Sequence, residues 1–168
     1  LRVINNHFHK MDQVARYGKK YSHSAYRWKD NVRTKVLERL YPEYFLGFKN
    51  LHAPAAFRRK TFEELWRKEP ELLHQTSLHR FRTGDDVNQW LALWWQVAEG
   101  AFEPYMTDNG VGSIGEDSIS ALCQIITEQQ HDMICVNDPA ENIHFEVLSR
   151  QLKNAFESIF PEKSSFER

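Results

Sequence analysis

The run Trp90-Leu91-Ala92-Leu93-Trp94-Trp95 constrains the fold of this chain most, because its apolar side chains pass most of the way round a helix. Val87, Trp90, Leu91, Trp94 and Ala98 recur on one helical face, and Leu93, Trp95 and Val97 widen it. A helix of that kind is buried on most sides. Asp85 or Asp86 is the expected N-cap, and Gly100 the expected stop. The run holds 6 residues, far short of the ~20 that a bilayer span needs. With 41% hydrophobic and 13% aromatic residues in 168, there is material for a core of one domain, or of a piece of a larger one.

A second fold signal lies downstream. Met133-Ile134-Cys135-Val136 suits a buried strand, and Asp138-Pro139-Ala140-Glu141 reads as a helix cap with proline at the first helical position. The last helix then passes through Phe145, Leu148, Leu152, Phe156 and Ile159. A strand that feeds a helix in this way predicts a helix-rich α/β chain, with ligands bound near strand ends. Upstream, His9 to Leu40 reads as helix interrupted near residues 21–24, and Tyr41-Pro42 stops it. Tyr44-Phe45-Leu46-Gly47-Phe48 is read as a strand or extended stretch, and residues 108–112 as a loop. Thr61-Phe62-Glu63-Glu64 is a capping box for a helix from about Phe62, Pro70 restarts one, and a further helix covers 118–130.

The formal net charge of −1 conceals an asymmetry. Residues 1–60 carry 14 Lys and Arg against 4 Asp and Glu, whereas 61–168 carry 8 against 19. Either the two halves face each other or solvent, or the basic one meets phosphates as nucleotide, acidic lipid or nucleic acid. Cys123 and Cys135 lie in apolar runs without framework spacing, which suits a reducing, cytoplasmic setting.

A few side chains form a kit for handling phosphate. Arg82, on a loop read as entering a helix, offers a fork of donors that matches phosphate oxygens in pairs. A helix N-terminus just after it would add free N–H groups. His52 can take or give a proton near neutral pH. Asn137-Asp138 sets an amide beside a carboxylate. Each also has an ordinary reading: a hydrogen-bonded structural histidine, a surface arginine, a helix cap. Arg58, Arg59 and Lys60 form a basic cluster after His52, solvated in the ordinary reading, with Lys60 the candidate substrate contact. The other histidines show no zinc spacing with the cysteines, and no Walker loop, GxGxxG, GxSxG or HExxH occurs.

In combination these segments resemble a known family. Leu51-His52-Ala53-Pro54, the helix from Lys60, Thr76-Ser77-Leu78-His79-Arg80-Phe81-Arg82 and Asp85-Asp86-Val87 resemble the third conserved block of the Stealth proteins. Met133 to Asp138 and the closing Phe160-Pro161-Glu162-Lys163-Ser164-Ser165-Phe166-Glu167 look like its fourth block. Residues 1–42 then form a basic helical region before the third block, and 43–168 hold the two blocks. That family contains bacterial capsule hexose-1-phosphate transferases and the animal N-acetylglucosamine phosphotransferase that tags lysosomal enzymes.

The resemblance implies the C-terminal portion of a Rossmann-like nucleotide-sugar transferase core. The reaction implied is transfer of a hexose 1-phosphate from a nucleotide sugar to a hydroxyl of a growing polysaccharide or sugar acceptor. His52 and Arg82 then fall on active-site positions, expected to be catalytic, and Asn137 and Asp138 on the family's last site segment. Asn137, with Lys60 from the basic cluster, is the expected substrate contact, and Asp138 the expected ligand of a divalent metal, Mg2+ or Mn2+. His52 either accepts the acceptor's proton or hydrogen-bonds the phosphate. The location implied is cytoplasmic, peripheral at the inner membrane, with no nucleic-acid partner. The family's first two blocks are not found here. The chain, which opens on Leu1, is therefore expected to be part of a longer enzyme or a truncated product, with little activity alone.

Two other readings remain. One is a non-catalytic module whose basic first 60 residues, with Tyr17, Tyr21, Tyr26 and Trp28 interleaved, grip nucleic acid or an anionic membrane. The other is a structural or partner-docking fragment.

Overall fold

The computed structural model describes residues 1–48, 55–106, 108–115, 118–137 and 144–166. They form α1 (Arg2–His7), α2 (Lys10–Tyr21), α3 (Trp28–Leu40), α4 (Arg59–Lys68), α5 (Pro70–Leu78), α6 (Gln89–Ala98), β1 (Asn109–Ser113), α7 (Ile119–Thr127), β2 (Met133–Asn137) and α8 (Phe145–Ile159). The chain divides into two compact units near residue 107. α1 to α6 share the first, so the basic helical region 1–42 belongs with the start of 43–168.

The tryptophan-rich helix organises the first unit. No residue from Trp90 to Ala98 is exposed. α1 and α4 pack against α6, and Ile4, Phe45, Leu65, Leu91, Ala92, Trp95 and Ala98 form the core. The Trp95 indole meets the His7 ring at 4.9 Å and the Phe8 ring, edge-on, at 4.8 Å. His7 also reaches the Glu69 carboxylate at 2.7 Å, tying α1 to the entrance of α5. Residues 44–48, read from sequence as a strand or extended stretch, belong to no helix or strand. Phe45 pairs with the Asn5 side-chain amide, which donates to its carbonyl and accepts from its N–H, in place of a neighbouring strand.

Two lysines of the basic half serve helix ends. Backbone carbonyls left over at a C-terminus attract cations. Lys10, itself buried, donates to the Leu37 and Tyr41 carbonyls at the end of α3 (3.2 and 2.9 Å). Burial lowers its pKa, and Glu38 partly offsets that. Lys20 donates to the Gly100 and Phe102 carbonyls (3.2 and 2.6 Å) and pairs with Glu103. The Tyr21 hydroxyl lies within hydrogen-bond reach of the Val97 and Ala98 carbonyls, at 3.0 and 2.9 Å. Gly100 follows α6 at φ +73°, and a Cβ there would come within 2.4 Å of the Tyr17 ring.

Two expected caps and one expected loop come out differently. α4 begins at Arg59, so Thr61 is its buried third residue and caps nothing. The start is set from α6, where buried Gln96 accepts from the Arg58 N–H (2.8 Å) and donates to the Ala56 carbonyl (3.0 Å). α6 is capped by Asn88, whose side chain accepts from Trp90 N, and not by Asp85 or Asp86. α5 does start on Pro70.

In the second unit, β1 and β2 run parallel, with Gly110 opposite Ile134 and Ser113 opposite Asn137. α7 makes the crossover, and α8 packs on it over Ile119, Leu122, Ile126, Leu148 and Ala155. The segment read as a loop at 108–112 is therefore largely strand. Its glycines, poor strand formers, are demanded by close approach. A Cβ at Gly110 would meet the His131 ring at 2.4 Å, and one at Gly112 the Leu122 side chain at 2.8 Å.

Candidate functional site

In the first unit the chain between α5 and α6 forms a braced turn that carries Arg82. The Asp86 carboxylate holds it. One oxygen accepts from the Thr83 N–H at 2.7 Å and the other lies 2.6 Å from His79 Nδ1. Asp86 N–H closes the turn onto the Thr83 carbonyl, and Val87 N–H reaches the Thr76 hydroxyl. The Thr83 N–H, then His79, hold the Asp86 carboxyl below its ordinary value. A loop anchored at both feet presents the same side chains repeatedly, which a phosphate clamp requires.

What it presents is Arg80, Phe81 and Arg82, all exposed. The Arg80 guanidinium lies over the Phe81 ring at 5.3 Å. Arg82 makes no ion pair among the described residues, so its fork is open to an anion. α6 starts at Gln89, seven positions on, and Asn88 already takes its Trp90 N–H. The helix N-terminus expected to assist Arg82 is thus not adjacent in the chain. His79, Thr83 and Thr76 carry no local sequence signal of this bracing role. No short motif marks a histidine and an aspartate seven residues apart as partners.

Lys60 is exposed in the first turn of α4, beside Arg58 and Arg59. Arg59 pairs with Glu63 at 2.8 Å. Lys60 and Arg58 have no ion pair among the described residues, and they stand where the helix dipole is already positive. Their electrostatic position favours an anion. Between α4, α5 and the start of α6 lies a groove of about 290 Å³, walled by Phe62, Trp66 and Leu73 and edged by the neutral polar groups of Ser77, Asn88 and Gln89. His52 lies outside the described residues, in the segment that leads to Ala56 and the Gln96 clamp.

In the second unit, Asn137 is the last residue of β2, at the carboxyl end of the parallel pair. Its carbonyl accepts from Ile114 N–H, and its side-chain oxygen lies 3.7 Å from Cys135 Sγ. In the same unit a crevice of about 260 Å³ is lined by Ile119 and Ser120 from the start of α7, and by His144, Val147, Leu148 and Gln151 at the start of α8; Asn137 is not among its lining residues. Asp138 lies outside the described residues, as does the cap expected there. Among the described residues no three His, Cys, Asp or Glu side chains converge on a metal position. Both cysteines are free and half-buried, and burial pushes the Cys123 thiol up, so it is a packing residue in character.

Comparison with known proteins places these segments. Residues 51–95, which run from before His52 to past Arg82, match Stealth protein CR3, conserved region 3. The capsular polysaccharide phosphotransferase WcwK of Streptococcus pneumoniae is 31% identical over 123 residues, 73% of this chain and 37% of the relative. The exopolysaccharide phosphotransferase cps2G of Lactiplantibacillus plantarum is 29% identical over 168 residues, 99% of this chain and 48% of the relative. The receptor polysaccharide phosphotransferase WefC of Streptococcus gordonii is 26% identical over 170 residues, 98% and 48% of the two. The chain thus spans about half the length of these relatives or less. With the conserved region matched across the Arg82 turn and relatives aligned along nearly its whole length, the chain belongs to the Stealth family.

Proposed function

We propose that this chain is the C-terminal catalytic portion of a sugar-phosphate transferase of capsular or exopolysaccharide synthesis, built on a Rossmann-like core. It moves a hexose 1-phosphate from a nucleotide sugar to an acceptor hydroxyl. The observation that carries the reading is the alignment of polysaccharide phosphotransferases along 98–99% of the chain. The acceptor oxygen attacks the phosphorus that bears the sugar, one O–P bond forms, and the P–O bond to the nucleoside monophosphate breaks. Because the sugar's C1–O bond is untouched, its anomeric configuration carries through to the product.

Arg82 neutralises charge on the phosphoryl oxygens in this reading, where positioning and electrostatics supply most of the rate. Its exposed place on a turn braced by Asp86 supports that role. His52 accepts the acceptor's proton or hydrogen-bonds the same phosphate. Lys60 and Asn137 contact the nucleotide sugar. A divalent cation is proposed on the family resemblance, with Asp138 as its carboxylate. Mg2+ keeps waters and takes one or two carboxylates with substrate phosphates, so one carboxylate from this chain would suffice. When bound it would screen pyrophosphate charge.

The test is made in a polypeptide of the relatives' full length that contains this chain. Release of nucleoside monophosphate is followed with a panel of nucleotide sugars. Arg82→Ala is expected to cut turnover by on the order of 100-fold, with partial recovery in Arg82→Lys. Normal turnover in Arg82→Ala would remove the role given to it. Absence of acceptor-dependent release with every nucleotide sugar would overturn the transferase reading.

A further inference from the structure

α3 is exposed along one whole side, and the residues on that side are of two kinds only. The exposed positions of the helix are Trp28, Val32, Val36 and Leu40, and Lys29, Arg33, Lys35 and Arg39. The apolar four recur every four residues, so they follow one stripe along the axis. They are 70%, 52%, 49% and 64% exposed, values far from those of a core. Both acids of the helix, Asp30 and Glu38, are half-buried on the opposite side with Asn31, Thr34 and Leu37. There Asn31 donates to the His23 carbonyl, and Lys10 and Glu38 interact. The outward side therefore presents four aliphatic or aromatic groups and four cations with no anion among them.

We infer that this side of α3 docks on an anionic phospholipid bilayer. Such a surface satisfies both kinds of residue at once. The apolar stripe sinks to the headgroup boundary, Trp28 takes the interfacial position that indoles favour, and the interleaved lysines and arginines reach outward to lipid phosphates along their aliphatic stems. Other occupants fit worse. A second copy docked face to face would set four cations against four. A nucleic acid would use the cations and leave the apolar stripe in water. A covering protein segment would have to desolvate all four cations. The α3 surface lies outside the residues assigned to catalysis, and the inference stands whether or not the transferase reading does.

The test is co-sedimentation of the purified chain with vesicles at low salt. Binding is expected to phosphatidylglycerol vesicles and not to phosphatidylcholine ones. Each cation near an anionic surface contributes about fivefold, so Lys29→Gln with Arg33→Gln, Lys35→Gln and Arg39→Gln together should abolish it. Val32→Ser, Val36→Ser and Leu40→Ser together should weaken it on the order of tenfold or more. Far-UV circular dichroism checks that both variants fold. If the apolar variant does not, the parent serves, since Trp28 emission, isolated by subtracting Trp28→Phe, should shift to the blue on phosphatidylglycerol. Failure to bind, equal binding to both lipids, or undiminished binding by either folded variant would overturn the inference. So would no Trp28 shift, or tight binding of a short DNA duplex with vesicles ignored.

Discussion

Gln96 is a buried amide on the central helix, and its role can be tested by one near-isosteric change. Its side chain accepts from Arg58 N–H and donates to Ala56 carbonyl at 2.8 and 3.0 Å, fixing the chain where it enters α4. Gln96→Leu keeps the volume and removes both bonds. Each hydrogen bond contributes a net ~0.5–1.5 kcal/mol, so the pair is expected to contribute about 1–3 kcal/mol. Ala56 is exposed and can regain water at its carbonyl, which places the expectation near the middle of that range. For a unit of this size ~1 kcal/mol shifts Tm by roughly 4–8 °C, so a fall of about 10 °C is expected. The assay can be confined to the first unit, since all 5 tryptophans (Trp28, Trp66, Trp90, Trp94 and Trp95) lie in it. Thermal unfolding followed by tryptophan emission therefore reports that unit alone. A shift below about 2 °C in a folded variant would refute the claim that Gln96 clamps this entrance.

Three further outcomes follow from local geometry. Gly100→Ala places a Cβ 2.4 Å from the Tyr17 ring at φ +73°. The left-handed backbone costs ~1–2 kcal/mol and overpacking ~1–3 kcal/mol, so the same emission melt should drop by more than in Gln96→Leu. Gly110→Ala, with its Cβ 2.4 Å from the His131 ring, should destabilise the second unit by ~1–3 kcal/mol; the loss should appear in far-UV circular dichroism and leave the tryptophan melt unmoved. Asp86 is held below its ordinary carboxyl value of 3.8, so its bracing of the turn is complete above that pH and is lost as pH falls through the lower folded value. The Thr83 amide resonance should titrate with a midpoint below 3.8, and Asp86→Asn should abolish the transition.

Much of the helical layout was legible because it rests on local chemistry. The break after Tyr21, the proline start of α5, the glycine stop of α6 and the apolar strand 133–137 are each set by neighbours in sequence. The caps at Thr61 and at Asp85 or Asp86 were misread because distant side chains decide them. Gln96, 38 residues beyond Arg58, sets the start of α4, and His79 with Thr83 draws Asp86 into a turn instead of a helix cap. β1 escaped notice because its glycines answer to His131 and Leu122, which only the fold brings against them. Of the candidate residues, Arg82 is exposed on the turn before α6 and Asn137 ends β2, one in each compact unit. His52 and Asp138 fall outside the described residues.

The cations of the first 60 residues separate into groups with different physical roles, which a net charge cannot express. Lys10 and Lys20 are bonded to carbonyls at the ends of α3 and α6, and are unavailable to a ligand without cost to the fold. Arg59 is paired along its own helix with Glu63. The four outward cations of α3 alternate with apolar groups, an arrangement suited to an extended amphipathic surface and poorly suited to a compact phosphate. Arg58 and Lys60 differ from all of these. They sit at a helix N-terminus, where neighbouring N–H groups also favour an anion, and they follow closely on the segment that carries His52. If substrate phosphate draws on the basic half at all, charge removal at Lys60 should weaken nucleotide-sugar binding. The same change on the outward side of α3 should leave that binding intact and weaken vesicle binding. Calorimetry and co-sedimentation on the two sets of variants separate the roles, and loss of both activities in both sets would show that the division drawn here is wrong.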